Sequence, residues 1–116
     1  MSRHRSAEGT DHPILAQAWR YRIVSLVLEL EPLDGGEPYL DLVLRYREDR
    51  RRLRFWSPQD LEIERGGPRH THGLEILDVR DRGLDRLGVR VDDFEASSGS
   101  VRFWARAVED LDACAA

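Results

Sequence analysis

His70 and His72 form the pattern in this chain that comes nearest to a metal site. Only Thr71 separates them, so an extended segment would point both imidazoles to one side. Zinc needs a third or fourth ligand, which would have to come from Asp, Glu, His12 or His4 by folding, and no spacing specifies it. We therefore predict no metal and no cofactor. A metal-dependent enzyme around His70 and His72 is kept as an alternative.

A second candidate is the pair of carboxylates Glu62 and Glu64, which lie about 7 Å apart on one strand face. That separation suits hydrolysis by paired carboxylates. The register predicted below gives each an arginine partner, Arg54 and Arg52, and ion pairing would keep both ionised. Cys114 lies in an Ala-rich tail, and no Gly-x-Ser-x-Gly motif occurs. The sequence therefore predicts no catalytic residue.

Arginine and tryptophan recur together, as Arg54-Phe55-Trp56 and again as Arg102-Phe103-Trp104. In each copy the phenylalanine has the core parity of its strand and the tryptophan the outer parity. Tryptophan and arginine are enriched at interface hot spots. Local cation–π stacking, or a sheet that is covered on both faces, would also explain the tryptophans.

Strand phasing turns this pattern into a predicted surface. Pairing Tyr46 with Leu53 and Leu44 with Phe55 joins the apolar residues of two strands across a turn at Asp49-Arg50. The same register places arginines opposite one another on the outer face. The predicted partner-binding residues are Arg45, Arg47, Arg52, Arg54 and Trp56, with Trp104 if its strand adjoins. The alternatives are a solvated, salt-bridged face and a homodimer contact.

Composition limits the function classes. The 116 residues suffice for one domain, and the net charge of −4 argues against a general nucleic-acid coat. All 18 basic residues are arginines, which a high-GC genome explains and which excludes lysine chemistry. The lone Cys114 permits no internal disulfide, and no apolar run approaches membrane-spanning length. We expect a cytoplasmic protein without a membrane partner.

The hydrophobic pattern predicts an all-β fold: one small antiparallel sandwich or partly open barrel of about seven strands, with at most short helical turns. Ala18 to Glu31 reads as a strand whose parity switches near Ile23-Val24, which indicates a β-bulge or a sheet crossing there. The mixed parity of Leu74 to Asp81 suits a strand covered on both faces or a bulge. The predicted organisation is a flexible lead at 1–12, a single β-rich domain at 13–110 and a flexible tail at 111–116.

These patterns predict a non-enzymatic protein-binding domain of bacterial type that uses its Arg/Trp face on an acidic partner. A small all-β protein with tryptophan-bearing strands resembles in kind the immunity proteins that neutralise toxins, although no shared motif assigns a residue. The alternative is binding of a phosphate-bearing ligand or nucleic acid by the same patch, which would weaken steeply with salt.

Overall fold

The fold consists of two antiparallel sheets. The computed structural model describes residues 10–63, 74–80, 87–93 and 101–112. Their strands are β1 Thr10–Asp11, β2 Arg22–Glu29, β3 Tyr39–Tyr46, β4 Asp49–Trp56, β5 Gln59–Ile63, β6 Leu74–Asp78, β7 Val89–Asp93, β8 Val101–Ala105 and β9 Ala107–Asp110. One sheet has the order β1-β6-β7-β8-β5 and the other β2-β3-β4-β9. A 3-10 turn, Ala18–Arg20, is the one helical element in these ranges. The predicted all-β antiparallel class is confirmed.

The two sheets share a corner. β4 continues into β5 and β8 into β9, and the pair changes sheets along its length: β4 pairs with β9, and β5 pairs with β8. At the bend the Arg106 amide donates to the Trp56 carbonyl at 2.8 Å, and the Ser57 amide donates to the Pro38 carbonyl at 2.8 Å. The result is a sandwich that is closed along one side by a bent two-stranded ribbon.

The core lies between the sheets and follows the predicted parity. Leu40, Leu42 and Leu44 of β3 are fully buried, as are Leu53 and Phe55 of β4. Phe55 meets Phe103 of the opposite sheet edge-to-face, with ring centroids 5.0 Å apart. Alternation places every second side chain of β3 and β4 on the outer face, and that face positions the candidate site.

β6 differs from the other strands because consecutive residues are buried. Leu74 to Leu77 are all enclosed, and Glu75 among them is 8% exposed. A strand exposed on one side would alternate. Coverage on both faces, as the mixed parity suggested, is confirmed.

The predicted bulge in β2 is confirmed between Ile23 and Ser25. Arg22 pairs with Arg45 and Ile23 with Leu44, whereas Ser25 pairs with the next residue along, Val43. The extra residue reverses the alternation of side chains. Arg22 therefore faces outward, like Ser25.

The register predicted for β3 and β4 is wrong by four residues. Tyr46 lies opposite Asp49 rather than Leu53, so the turn is Arg47-Glu48, with Arg47 at a φ of 57°. Parity does not distinguish registers that differ by an even number, because each leaves the same residues inward. Turn length does not distinguish them either, because the predicted turn at Asp49-Arg50 and the observed turn at Arg47-Glu48 both hold two residues. Arg45 consequently lies opposite Arg50, not Arg54.

The predicted hairpin between β4 and β5 is also wrong. Ser57 and Asp60 both have positive φ, and the chain leaves the sheet at this bend. Glu62 therefore lies opposite Arg102 instead of Arg54, at 4.0 Å. Glu64, predicted opposite Arg52, is outside the described residues.

Residues on both sides of the predicted domain at 13–110 make contacts with its strands. The bounds of that domain stay a prediction. Thr10 and Asp11 pair with β6. After β9, the Leu111 amide donates to the Arg52 carbonyl at 2.9 Å, and an Asp112 carboxylate oxygen accepts from the Arg52 amide at 3.1 Å. Across the described ranges, no helix has the length and apolar character needed to span a membrane.

Candidate functional site

The outer face of the four-stranded sheet carries most of the predicted site. Directly opposed residues of neighbouring strands share a face, so the register divides the outer face into four rows. The rows are Arg22, Arg45 and Arg50; Ser25, Val43 and Arg52; Val27, Asp41, Arg54 and Glu109; and Glu29, Tyr39, Trp56 and Ala107.

The first of these, the arginine row, places Arg22, Arg45 and Arg50 side by side on three strands. All three residues are exposed, and none joins an ion pair within the described part of the chain. Like charges opposed on neighbouring strands destabilise a sheet by some tenths of a kcal/mol each. The row is therefore a concentrated positive charge with no internal compensation among the described residues.

Arg47 lies just beyond this row, on the β3–β4 turn. Its carbonyl accepts a hydrogen bond from Arg45 Nε at 2.9 Å. Its guanidinium lies over the Tyr46 ring, 5.2 Å from the centroid. Arg47 thus adds charge to the same end of the sheet, although it has no place in the ladder.

Arg54 is held by structure rather than presented to a partner. Its Nε and Nη2 donate to the two oxygens of Asp41 at 2.8 and 2.9 Å, and its guanidinium stacks on Tyr39, 3.7 Å from the centroid. The hydrogen bonds to Asp41 raise the pKa of Arg54. Arg52 approaches the same carboxylate at 3.5 Å. Asp41 is 5% exposed, and the two arginines are the cations that compensate its buried carboxylate.

The tryptophans of the two Arg-Phe-Trp segments, Trp56 and Trp104, lie in different sheets, and both are half-buried. Trp56 packs edge-to-face on Tyr39 at 5.7 Å, and its Nε1 donates to Glu109 at 3.2 Å. Trp104 lies on β8 of the five-stranded sheet, where Arg90 stacks over it at 4.7 Å. Arg54 also lies over the Trp56 ring at 5.5 Å, so local contacts account for much of the placement of both rings, and Trp104 does not extend the arginine row.

Two hollows lie on the outer face, and both are lined by Tyr39. One, of about 340 Å³, lies beside the arginine row among Ser25, Val27, Val43, Arg50 and Arg52, and also touches Tyr39 and Asp41. The other, of about 470 Å³, lies under the loop that follows β2. Its lining combines aromatic rings with carboxylates: Glu29, Pro32, Leu33, Asp34, Gly36, Glu37, Tyr39, Arg54 and Trp56. The face is thus basic at one end and predominantly acidic at the other.

The histidine alternative receives no support within the described ranges. His70 and His72 lie outside them, and the residues that are described contain no group of three or more His, Cys, Asp or Glu placed to hold a metal ion. His12 accepts a hydrogen bond at Nδ1 from the Ile14 amide at 3.0 Å. Burial lowers its pKa, which suits this acceptor role.

Strand phasing found Arg45 but missed Arg22 and Arg50, its direct neighbours. The parity switch at Ile23-Val24 was the signal for Arg22, because it moves that residue to the outer face. A two-residue turn at Arg47-Glu48 would have paired Arg50 with Arg45. The parity switch is visible in the sequence, whereas neither Arg47 nor Glu48 is a residue type that marks a turn.

No protein-family model matches this chain, and neither a curated protein nor a solved structure is significantly similar to it.

Proposed function

We propose that this chain is a non-enzymatic binding domain of bacterial type that docks an acidic protein surface on the arginine row. The observation that carries the proposal is the alignment of Arg22, Arg45 and Arg50 on three strands without a carboxylate partner among the described residues. We place the domain in the cytoplasm, because its single cysteine cannot form an internal disulfide and disulfides are rare in that compartment. An immunity-like inhibitor that covers a partner's acidic site is the kind of activity that fits.

Electrostatic repulsion within the arginine row destabilises the isolated domain, and this repulsion favours binding of an acidic partner. Opposed residues are about 5 Å apart at Cβ, so three guanidinium groups repel one another at short range. Carboxylates of a partner would replace this repulsion by attraction, and arginine offers them bidentate geometry. Since the neighbouring Arg52 and Arg54 are engaged by Asp41, the unpaired row is where a partner gains most.

The neighbourhood favours a protein over a nucleic acid. Ser25 and Val43 lie in the row next to the arginine row, and Val27, which is 51% exposed, lies in the row after that; all three line the hollow that Arg50 also lines. The carboxylates Glu29 and Asp34 line the hollow at the far end of the same face, where they would repel a phosphate backbone. A protein partner can bury the valine and offer mixed charge, whereas a polyanion contacts the sheet only at its basic end.

A binding assay with defined probes tests the proposal. Wild type and Arg45→Ser/Arg50→Ser are titrated with a poly-glutamate peptide and with single-stranded DNA of equal charge. We expect the peptide to bind wild type and the double variant to bind it about tenfold more weakly, from about 1–2 kcal/mol for two exposed charges. Arg80→Ser/Arg106→Ser removes the same number of charges from arginines that are already paired, with Asp78 and Glu37, and is the control for net charge, expected to retain binding.

Other outcomes reject the proposal. Equal affinity of the row variant and the control variant would mean that net charge, not the row, is recognised. Tight DNA binding with a steep salt dependence and no peptide binding would support the phosphate or nucleic-acid alternative. Absence of binding to either probe at low salt would leave the row as a solvated surface.

A further inference from the structure

The edge strand β2 exposes apolar side chains over much of its length. Val24 and Val27 are each 51% exposed, Leu28 is 37% exposed and Leu30, just beyond the strand, is 65% exposed. Among the described strands, β2 pairs with β3 alone. An edge that combines open backbone with apolar side chains is a template for a further strand unless charge or proline protects it.

The charges of β2 indicate which strand would fit. Arg22 begins the strand and Glu29 ends it, and the bulge places both on the outer face although seven positions separate them. Neither residue belongs to an ion pair in the described part of the chain. An antiparallel copy of the same strand brings each arginine opposite the glutamate of the other copy, and a parallel copy does not.

One register satisfies both the side-chain faces and the charges. With a two-fold axis at Leu26, Ser25 lies opposite Val27 of the second copy and Val24 is the extra residue of the bulge. Beyond the bulge Arg22 reaches Glu29 of the second copy, and symmetry repeats the pair on the other side. Opposed side chains then share a face throughout, as an antiparallel ladder requires. Such an isologous contact closes on itself and leaves no β2 edge for further growth.

We propose that two copies of this chain associate through their β2 strands, antiparallel about Leu26, into one continuous sheet held by two Arg22–Glu29 pairs. The proposal goes beyond the binding of an acidic partner, because it concerns the edge of the sheet and leaves Arg45 and Arg50 of each copy on the outer face. The dimer would present two such basic ends on one surface.

Sedimentation velocity over a wide concentration range tests this dimer with the full chain. Wild type should sediment as a dimer in equilibrium with monomer. Arg22→Glu and Glu29→Arg should each raise the dimer dissociation constant by roughly thirtyfold, because two attractive pairs become repulsive. The double variant Arg22→Glu/Glu29→Arg exchanges the charges and should recover wild-type association. Arg80→Glu makes the same change of charge away from this edge and should leave the dimer intact.

Several results would overturn the proposal. Wild type that stays monomeric at every concentration is one. A double variant that folds, by circular dichroism and thermal melting, yet stays as dissociated as the single variants is another. If a single variant does not fold, Val27→Lys, at a half-exposed position, provides an independent test that should also dissociate the dimer. The Arg45→Ser/Arg50→Ser protein should still dimerise, so failure of the dimer and failure of acidic-partner binding are separable.

Discussion

Arg54 and Arg45 lie on the same face of the same sheet, yet their removal should have very different consequences. Arg54→Ala leaves the carboxylate of Asp41 buried without the bidentate partner that contacts it at 2.8 and 2.9 Å. Arg45→Ala removes an exposed side chain whose only described hydrogen bond runs to the carbonyl of Arg47. The comparison separates an arginine that supports the fold from one that is available to a partner.

The magnitude follows from burial. Removing one partner of a buried ion pair costs about 3–5 kcal/mol. Here the Arg54 side chain is 21% exposed and Arg52 remains 3.5 Å from Asp41, which lowers the electrostatic loss to about 2 kcal/mol. Loss of the stacking on Tyr39 adds about 0.5–1 kcal/mol. We expect Arg54→Ala to lose about 3 kcal/mol of unfolding free energy and Arg45→Ala no more than about 0.5 kcal/mol.

Urea denaturation monitored by tryptophan fluorescence measures both losses, and the melting temperature of Arg54→Ala should fall by roughly 10 °C. The double variant Asp41→Ala/Arg54→Ala should be less destabilised than the sum of the two single variants by about 2 kcal/mol, since no buried charge is left unpaired. Equal stability of Arg54→Ala and Arg45→Ala, or strict additivity of the double variant, would refute the assignment of Arg54 to the fold.

Three further predictions concern stability. Burial lowers the pKa of His12 in the folded protein from its ordinary value of about 6.5. Neutral His12 therefore contributes its full share of folding stability above about pH 6.5, and this share is lost as the pH falls below that value. His12→Asn should flatten the pH dependence of the melting temperature between pH 7 and 5. A Cβ on Gly88 would lie 2.6 Å from the backbone carbonyl of Arg106, so Gly88→Ala should cost about 1–3 kcal/mol in urea denaturation, and an unchanged midpoint would contradict that contact. Arg51→Ala leaves Asp110, which is 8% exposed, without the 3.0 Å partner Arg51 provides; a loss of about 2 kcal/mol is expected, and Arg51→Lys should recover part of it.

The faces of the strands could be predicted from the sequence because alternation is a local property. The inward Leu40, Leu42 and Leu44, the outward Arg45 and the bulge near Ile23 were all predictable in this way. Partner strands could not be predicted in the same way, since parity leaves every even shift equally acceptable. Loop length leaves the choice open as well, since turns at Asp49-Arg50 and at Arg47-Glu48 both hold two residues. The positive φ of the observed turn falls on Arg47, which gives no turn signal of the kind glycine or asparagine gives.

The strand pairing at the corner between the sheets could not be predicted from the alternation of side chains either. Ser57-Pro58 and Asp60 read as an ordinary turn, which predicted that β5 folds back on β4. In the structure β9 occupies that edge, and β5 pairs with β8. The two arrangements bury the same alternate residues of β4, and the strand that wins lies about fifty positions along the chain. Local pattern carries no information at that separation.

The β2 bulge links the basic face to the free edge. In a regular strand Arg22 and Glu29, seven positions apart, would face opposite sides. The extra residue between Ile23 and Ser25 turns Arg22 outward, where it completes the row with Arg45 and Arg50 and shares a face with Glu29. It also keeps Ile23 and Leu26 against the core. The single inserted residue thus allows β2 to bury its apolar inner face and to carry a charge at both ends of its outer face. Recognition of an acidic partner and pairing of two β2 strands both depend on this alternation of side chains.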